Sequence, residues 1–296
     1  MQAPQVSARL SLQHILFATD FSAASNSALP HALAFARWYG AKIFVTHIVA
    51  PEPRLSVSMD ALPLQTDFNW QDATRRMGAY SQNLAFGDVP FQLLMKGGDL
   101  EDAISGIVQE NGIDLIVLGT HGRHGLAKMV LGSTAERIFR TSRCPVLTVG
   151  PKSAKWSDRS ETPKRILFAT DFSAGSLHAL PYALSFAEES QAAIVLLHII
   201  TLVPIEQDRQ AVEECAKAGL RAMIPPEADA WCKPELVVHF DFPAEGILRT
   251  AEERDADLIV MGVHRTRSPR LAAHAPWATA YEVACRAHCP VLTVRN

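Results

Sequence analysis

Two hydrophobic rhythms alternate along the chain. Ile15–Thr19 is a short apolar run ending in Asp-Phe-Ser, the pattern of a strand buried on both faces. Ser25–Tyr39 repeats apolar residues at helical spacing, and Gly40 suits a helix stop. Lys42–Val49, Phe91–Met95, Asp114–Leu118 and Pro145–Val149 read as four more strands. Leu100–Gln109, closed by Asn111-Gly112, and Ser133–Thr141 read as helices. The stretch 56–78 starts irregularly after Pro51 and Pro53 and around Pro63, and predicts a helix from Asp67; it either covers a pocket or forms an interface. Strands alternating with helices imply crossover connections, a parallel sheet, and ligand sites at the carboxyl ends of the strands.

The pattern occurs twice. ILFATDFS at 15–22 recurs at 166–173, and ALPHALAFA at 28–36 returns as ALPYALSFA at 179–187. DLIVLG at 114–119 returns as DLIVMG at 257–262, and CPVLTV at 144–149 recurs at 289–294. Identical blocks in the same order make this an internal repeat. Between them, GPKSAKWSDRSETPK is polar and bounded by prolines, as a linker is. The expected organisation is a first domain over 1–150, a linker over 151–163 and a second domain over 164–296. Each is a doubly wound α/β domain with a parallel five-stranded sheet.

Composition narrows the function. Lys and Arg number 28 against 31 Asp and Glu, a net charge of −3, with no basic stripe. Nucleic-acid binding and attachment to acidic membranes are therefore not expected. No apolar run reaches the ~18–20 residues of a membrane helix, and MQAPQVSARLSLQ lacks the apolar core of a secretory signal. Five cysteines without framework spacing fit reduced thiols in a cytoplasm. Cys285, His288 and Cys289 cluster, but Cys289 opens a shared strand and no fourth ligand is evident, so no metal is expected there.

The loop after the fourth strand carries the candidate chemistry. Gly119-Thr120-His121-Gly122 is followed after nine residues by Gly132-Ser133-Thr134. Gly119 would let a ligand lie against the strand end, Gly122 permits a positive-φ turn, and Ser133 with Glu136 spells a capping box. A glycine before a helix start presents free N–H groups to a phosphate. Equally, the glycines could serve only as turns and Ser133 only as a cap. Neither a Walker motif nor a dinucleotide fingerprint is present.

The pattern G-x2-G-x9-G-[ST], with T-D-x-S after strand one, H-[IV] closing strand two and the final C-P-V-L-x-V, resembles the ATP-binding subgroup of the universal stress protein family. The likeness covers nearly the whole chain as a tandem pair. It implies a Rossmann-like fold of the adenine-nucleotide alpha-hydrolase type. It implies that Ala18, Thr19 and Asp20 meet adenine and ribose, that Ile48 borders the adenine, and that Leu118 and Gly119 meet ribose and phosphates. Gly122, Gly132, Ser133 and Thr134 would hold the phosphates, with His121, Arg123, His124 and Lys128 adding charge nearby and Mg²⁺ accompanying them. It also implies dimerisation through the final strand, here mimicked inside the chain by Val146–Val149 and Val291–Val294, or between chains.

The second copy keeps Thr170, Asp171, His198 and Gly262 but has Val263-His264-Arg265 where the first has its loop glycine. Trp277 aligns with Gly132, Ala278 with Ser133 and Thr279 with Thr134, and Thr279 with Glu282 is expected to cap a helix. The expectation is an ATP-binding regulatory stress protein with one nucleotide site, in the first repeat. A slow ATPase and a nucleotide-free, chaperone-like scaffold stay open. His47 and His198 occupy matching places, which fits a structural hydrogen bond better than acid–base work.

Overall fold

The computed structural model of the chain describes residues 10–49, 62–83, 86–120, 131–151, 153, 162–201, 206–263 and 276–295. The first repeat runs β1 (His14–Ala18), α1 (Ala23–Tyr39), β2 (Lys42–Val49), α2 (Leu62–Asn83), β3 (Phe91–Gly97), α3 (Leu100–Asn111), β4 (Leu115–Gly119), α4 (Ser133–Thr141) and β5 (Val146–Val149). The second runs β6 (Arg165–Thr170), α5 (Ala174–Ser190), β7 (Ala193–Ile200), α6 (Arg209–Met223), α7 (Ala228–Trp231), β8 (Glu235–Phe240), α8 (Pro243–Glu253), β9 (Leu258–Val263), α9 (Pro276–Arg286) and β10 (Val291–Arg295). The helix expected from Asp67 starts earlier, at Leu62. Pro63 does not delay it, because a proline in the first turn gives up an N–H that has no partner there.

Two compact units result, one of Leu12–Val146 and one of Met1–Ser11 with Leu147–Asn296. In the first, the strands lie in the order β3-β2-β1-β4, with parallel registers that set Ala18 opposite Thr46, Phe17 opposite Val117 and Val49 opposite Gly97. In the second the order is β5-β10-β9-β6-β7-β8. The final strand of the first repeat thus counts, from Leu147 on, with the second unit. There the Thr148 hydroxyl donates to the Val291 carbonyl at 3.2 Å.

Consecutive residues Ile15, Leu16 and Phe17 are each 0% exposed. Neighbouring side chains of a strand point to opposite faces, so both faces of β1 are covered. α1 stops where expected: Gly40 has φ 65° and its N–H donates to the Ala36 carbonyl. At the amino ends of the strands, Asp114 Oδ2 accepts from the N–H groups of Gln13 and His14 at 2.7 and 3.0 Å. Asp257 Oδ2 does the same for Lys164 and Arg165 at 2.8 and 2.9 Å. This is the physical reason both D-L-I-V blocks open with aspartate: the carboxylate pins the start of the neighbouring strand. No helix among the described residues is long and apolar enough to cross a membrane.

Candidate functional site

β1 lies between β2 and β4, so the chain runs outward from β1 to β3 and returns on the other side at β4. A crevice forms outside the carboxyl ends of the strands at such a reversal. The residues that leave β1 are folded by their own side chains. Phe21 has φ 64°, a left-handed conformation that costs a bulky residue energy. Thr19, buried, holds it there: its Oγ1 accepts from the Phe21 N–H at 3.0 Å and lies 3.1 Å from the Ser25 hydroxyl. Asp20 Oδ1 accepts from the Ser22 N–H at 2.9 Å, and Ser22 Oγ accepts from the Ser25 N–H at 3.1 Å to cap α1. The Thr-Asp-x-Ser sequence is therefore first of all a turn-builder.

The end of β2 closes one side. His47 Nδ1 donates to the Thr19 carbonyl at 2.8 Å, the structural hydrogen bond its position suggested, and its ring packs 4.4 Å from that of Phe21. Ile48, half-buried, pairs with Lys96 of β3. α2 supplies residues that the sequence reading did not name. The Tyr80 hydroxyl donates to Asn26 Oδ1 at 2.6 Å, its ring meets Phe21 edge-on at 5.4 Å, and the Arg76 guanidinium sits 4.8 Å from the Phe21 centroid. Burial pushes the Tyr80 phenol above its ordinary pKa, a hydrogen bond with Thr19 works against that rise, and the Asp20 charge adds to it. The signal was present: Trp70, Ala73, Met77 and Tyr80 form a helical stripe, of which the last three are buried.

β4 brings Leu118, buried, and Gly119 to the other side. The reason expected for Gly119 needs correction. A Cβ there would lie 2.3 Å from the Ala24 carbonyl oxygen, so the space is taken by the first turn of α1 and not by a ligand. The two ends of the glycine loop meet: the Gly132 N–H donates to the Thr120 carbonyl at 2.7 Å. His121, Gly122, Arg123, His124 and Lys128 lie outside the described residues. The capping box expected of Ser133 and Glu136 is also corrected. Gly132 is the cap, Ser133 is the first helical residue, and no side-chain hydrogen bond caps the helix. The Glu136 N–H donates to the Gly132 carbonyl. Among the described residues no side chain caps the first turn of α4, and Ser133 and Thr134 are exposed beside it. Its second turn is tied to α3, since Arg137 pairs with Asp99 at 2.7 Å and Glu101 at 3.4 Å.

The model of the universal stress protein family matches residues 11–150 and again 162–295. The chain belongs to the universal stress protein family. Universal stress protein Slr1230 of Synechocystis sp. is 28% identical over 96% of this chain and 100% of its own length. A crystal structure of a universal stress protein from Archaeoglobus fulgidus DSM 4304 covers 95% of this chain and 98% of its own at TM-score 0.63 and 18% identity, which speaks to the fold. A half-length neighbour, a universal stress protein in complex with cAMP, covers 47% of this chain and 98% of its own at TM-score 0.31 and 25% identity.

In this tandem universal stress protein the second repeat builds the same turn. Phe172 has φ 58°, Thr170 Oγ1 accepts its N–H at 3.0 Å, and His198 Nδ1 donates to the Thr170 carbonyl at 2.8 Å. Asp171 Oδ1 takes both the N–H and the hydroxyl of Ser173. Burial alone would raise the Asp171 pKa, but these bonds and one from Ser176 outweigh it, and the carboxyl lies below its ordinary range. Gly262, too, has its missing Cβ replaced by backbone, 2.1 Å from the Gly175 carbonyl oxygen. The helix that follows differs. α9 begins at Pro276, so Thr279 lies inside it and does not act as the expected cap. The Trp277 side chain and residues 264–275 lie outside the described residues.

Proposed function

We propose that the first repeat binds ATP, that the second does not, and that occupancy serves a regulatory role in the stress response. The observation that carries this reading is the start of α4, with Gly132 at the cap, no side-chain hydrogen bond there, and its N–H tied to Thr120 beside the end of β4. Unpaired amides and the positive end of a helix favour a phosphate, and the residues present fit one: the cap carries no side chain, and two hydroxyls, Ser133 and Thr134, stand at the same turn. Ala18, Thr19, Asp20 and Ile48 would take the adenosine end. Leu118 and the backbone of Gly119 would meet the ribose and phosphates, Gly122 would help hold the phosphates, and His121 and Arg123 would add charge. Mg²⁺ would ride on the phosphate oxygens, because the described residues gather no group of three His, Cys, Asp or Glu.

In the second repeat the corresponding helix opens with Pro276, which has no N–H to offer. The glycine near the end of the fourth strand does not distinguish the repeats, since Gly119 and Gly262 meet the same backbone obstacle. The placement of β5 beside β10 supports pairing of the repeats through their final strands, as an internal counterpart of a dimer. The five cysteines form no disulfide, in keeping with a reducing compartment such as the cytoplasm.

Calorimetric titration tests the reading, with cAMP titrated in parallel as a comparison ligand. One ATP site per chain, lost in Gly132→Trp without loss of fold, is the expected result. Equal affinity of the wild type and Gly132→Trp would remove α4 from the site.

A further inference from the structure

We propose that Trp70 forms the base-side wall of the nucleotide site, a flat indole on which the purine stacks. The inference rests on the ATP reading above and adds a residue that the family motif does not contain. Four large apolar side chains among the described residues are exposed, and Trp70, at 42%, is one of them. Its three partners in the α2 stripe, Ala73, Met77 and Tyr80, are each 9% exposed or less. The indole leaves the core at the end of that stripe and lies on backbone: its Cζ3 is 3.4 Å from the place a Cβ of Gly97 would occupy. Gly97 ends β3, opposite Val49 and one step beyond Lys96, the partner of Ile48. Paired residues share a face, so the indole lies on the Val49 side of the sheet, at the carboxyl ends of β2 and β3 and one residue past Ile48, the β2 residue assigned to border the adenine.

The second repeat offers an internal comparison at this corner. Ile200 stands where Val49 stands and pairs with Phe240, so Phe240 takes the place of Gly97. The aromatic ring there belongs to the strand, and the helix lays a cation on it: the Arg209 guanidinium is 4.7 Å from the Phe240 centroid. A strand side chain therefore stands where Gly97 leaves room for the indole, in the repeat whose helix after the fourth strand also starts differently. An indole on a glycine shelf offers a π-face, which suits a purine of either kind and gives affinity more than base identity.

The test is titration of ATP and of inorganic tripolyphosphate into the full chain and three variants: Trp70→Ala, Trp70→Phe and Gly97→Val. Removing a stacking partner weakens binding by roughly 5- to 150-fold. Trp70→Ala and Gly97→Val are expected to lose ATP affinity in that range, Trp70→Phe to stay within a few-fold of wild type, and tripolyphosphate affinity to stay unchanged in all three. Wild-type ATP affinity in Trp70→Ala would overturn the wall and leave the ATP site standing. An equal loss of tripolyphosphate binding would overturn it too, because the residue would then be supporting the fold of the site. A wild-type chain that binds no ATP would overturn both readings.

Discussion

Gly119, the last residue of β4, and Gly262, the last but one of β9, each face the first turn of a helix, and the contact is backbone, which cannot swing away. Gly119→Ala and Gly262→Ala are therefore both expected to destabilise the chain, by about 1–3 kcal/mol each, as overpacking does. Chemical denaturation measures this; a large cost at Gly119 alone would point back to a ligand-specific glycine. Thr19 and Thr170 make the matching prediction for the turn. Each accepts the N–H of a left-handed phenylalanine from a buried position. Replacing either by valine orphans that N–H and should cost about 1–3 kcal/mol. The residues of this turn could be picked from the sequence because polar side chains closing a buried strand are conspicuous. That Thr19 holds Phe21 in a left-handed conformation could not, because it depends on a φ of 64° that no spacing announces. Gly119 was misread for a similar reason: a missing Cβ makes room, but only the tertiary packing says for what.

At the scale of elements, most helices and strands followed from apolar periodicity, since burial on one or both faces leaves its period in the sequence. Helix starts were harder. Ser133-x-x-Glu136 spells a capping box, yet the structure caps at Gly132. One residue of shift replaces a cap that would satisfy its own helix end with a glycine that has no side chain to do so. The tie between α3 and α4 was likewise invisible, because Arg137 and Asp99 are far apart in sequence and meet only in the fold. The hydrogen bond from Arg137, then those from the backbone of Glu101 and Asp102, hold the Asp99 carboxyl below its ordinary pKa. A depressed carboxylate contributes stability above its unfolded value of about 3.9 and loses it as the pH falls through the folded value. The tie should thus be intact at neutral pH and open only in acid. Arg137→Gln should return Asp99 toward about 3.9 in a carbon-detected NMR titration, with little change in Tm because the pair is exposed. An unshifted, still depressed Asp99 would show that the neighbouring amides alone set it.

For the molecule as a whole, duplication was legible at once, since identical blocks return in order. What the repeat could not reveal is that the division by sequence and the division by contact differ: β5 belongs to the first by descent and, from Leu147, to the second by packing. The asymmetry between the repeats is the core of the functional reading. Both retain the strand-end turn, the histidine and the glycine packed on the helix that follows that turn, and they diverge at the start of the helix after the fourth strand and at the β3 corner. Native mass spectrometry of the full chain in ATP and Mg²⁺, with nucleotide released by heat and identified, tests this most directly. One ATP per chain in the wild type and none in Gly132→Trp is the predicted result. Two ATP per chain, or one that persists in Gly132→Trp, would contradict the account.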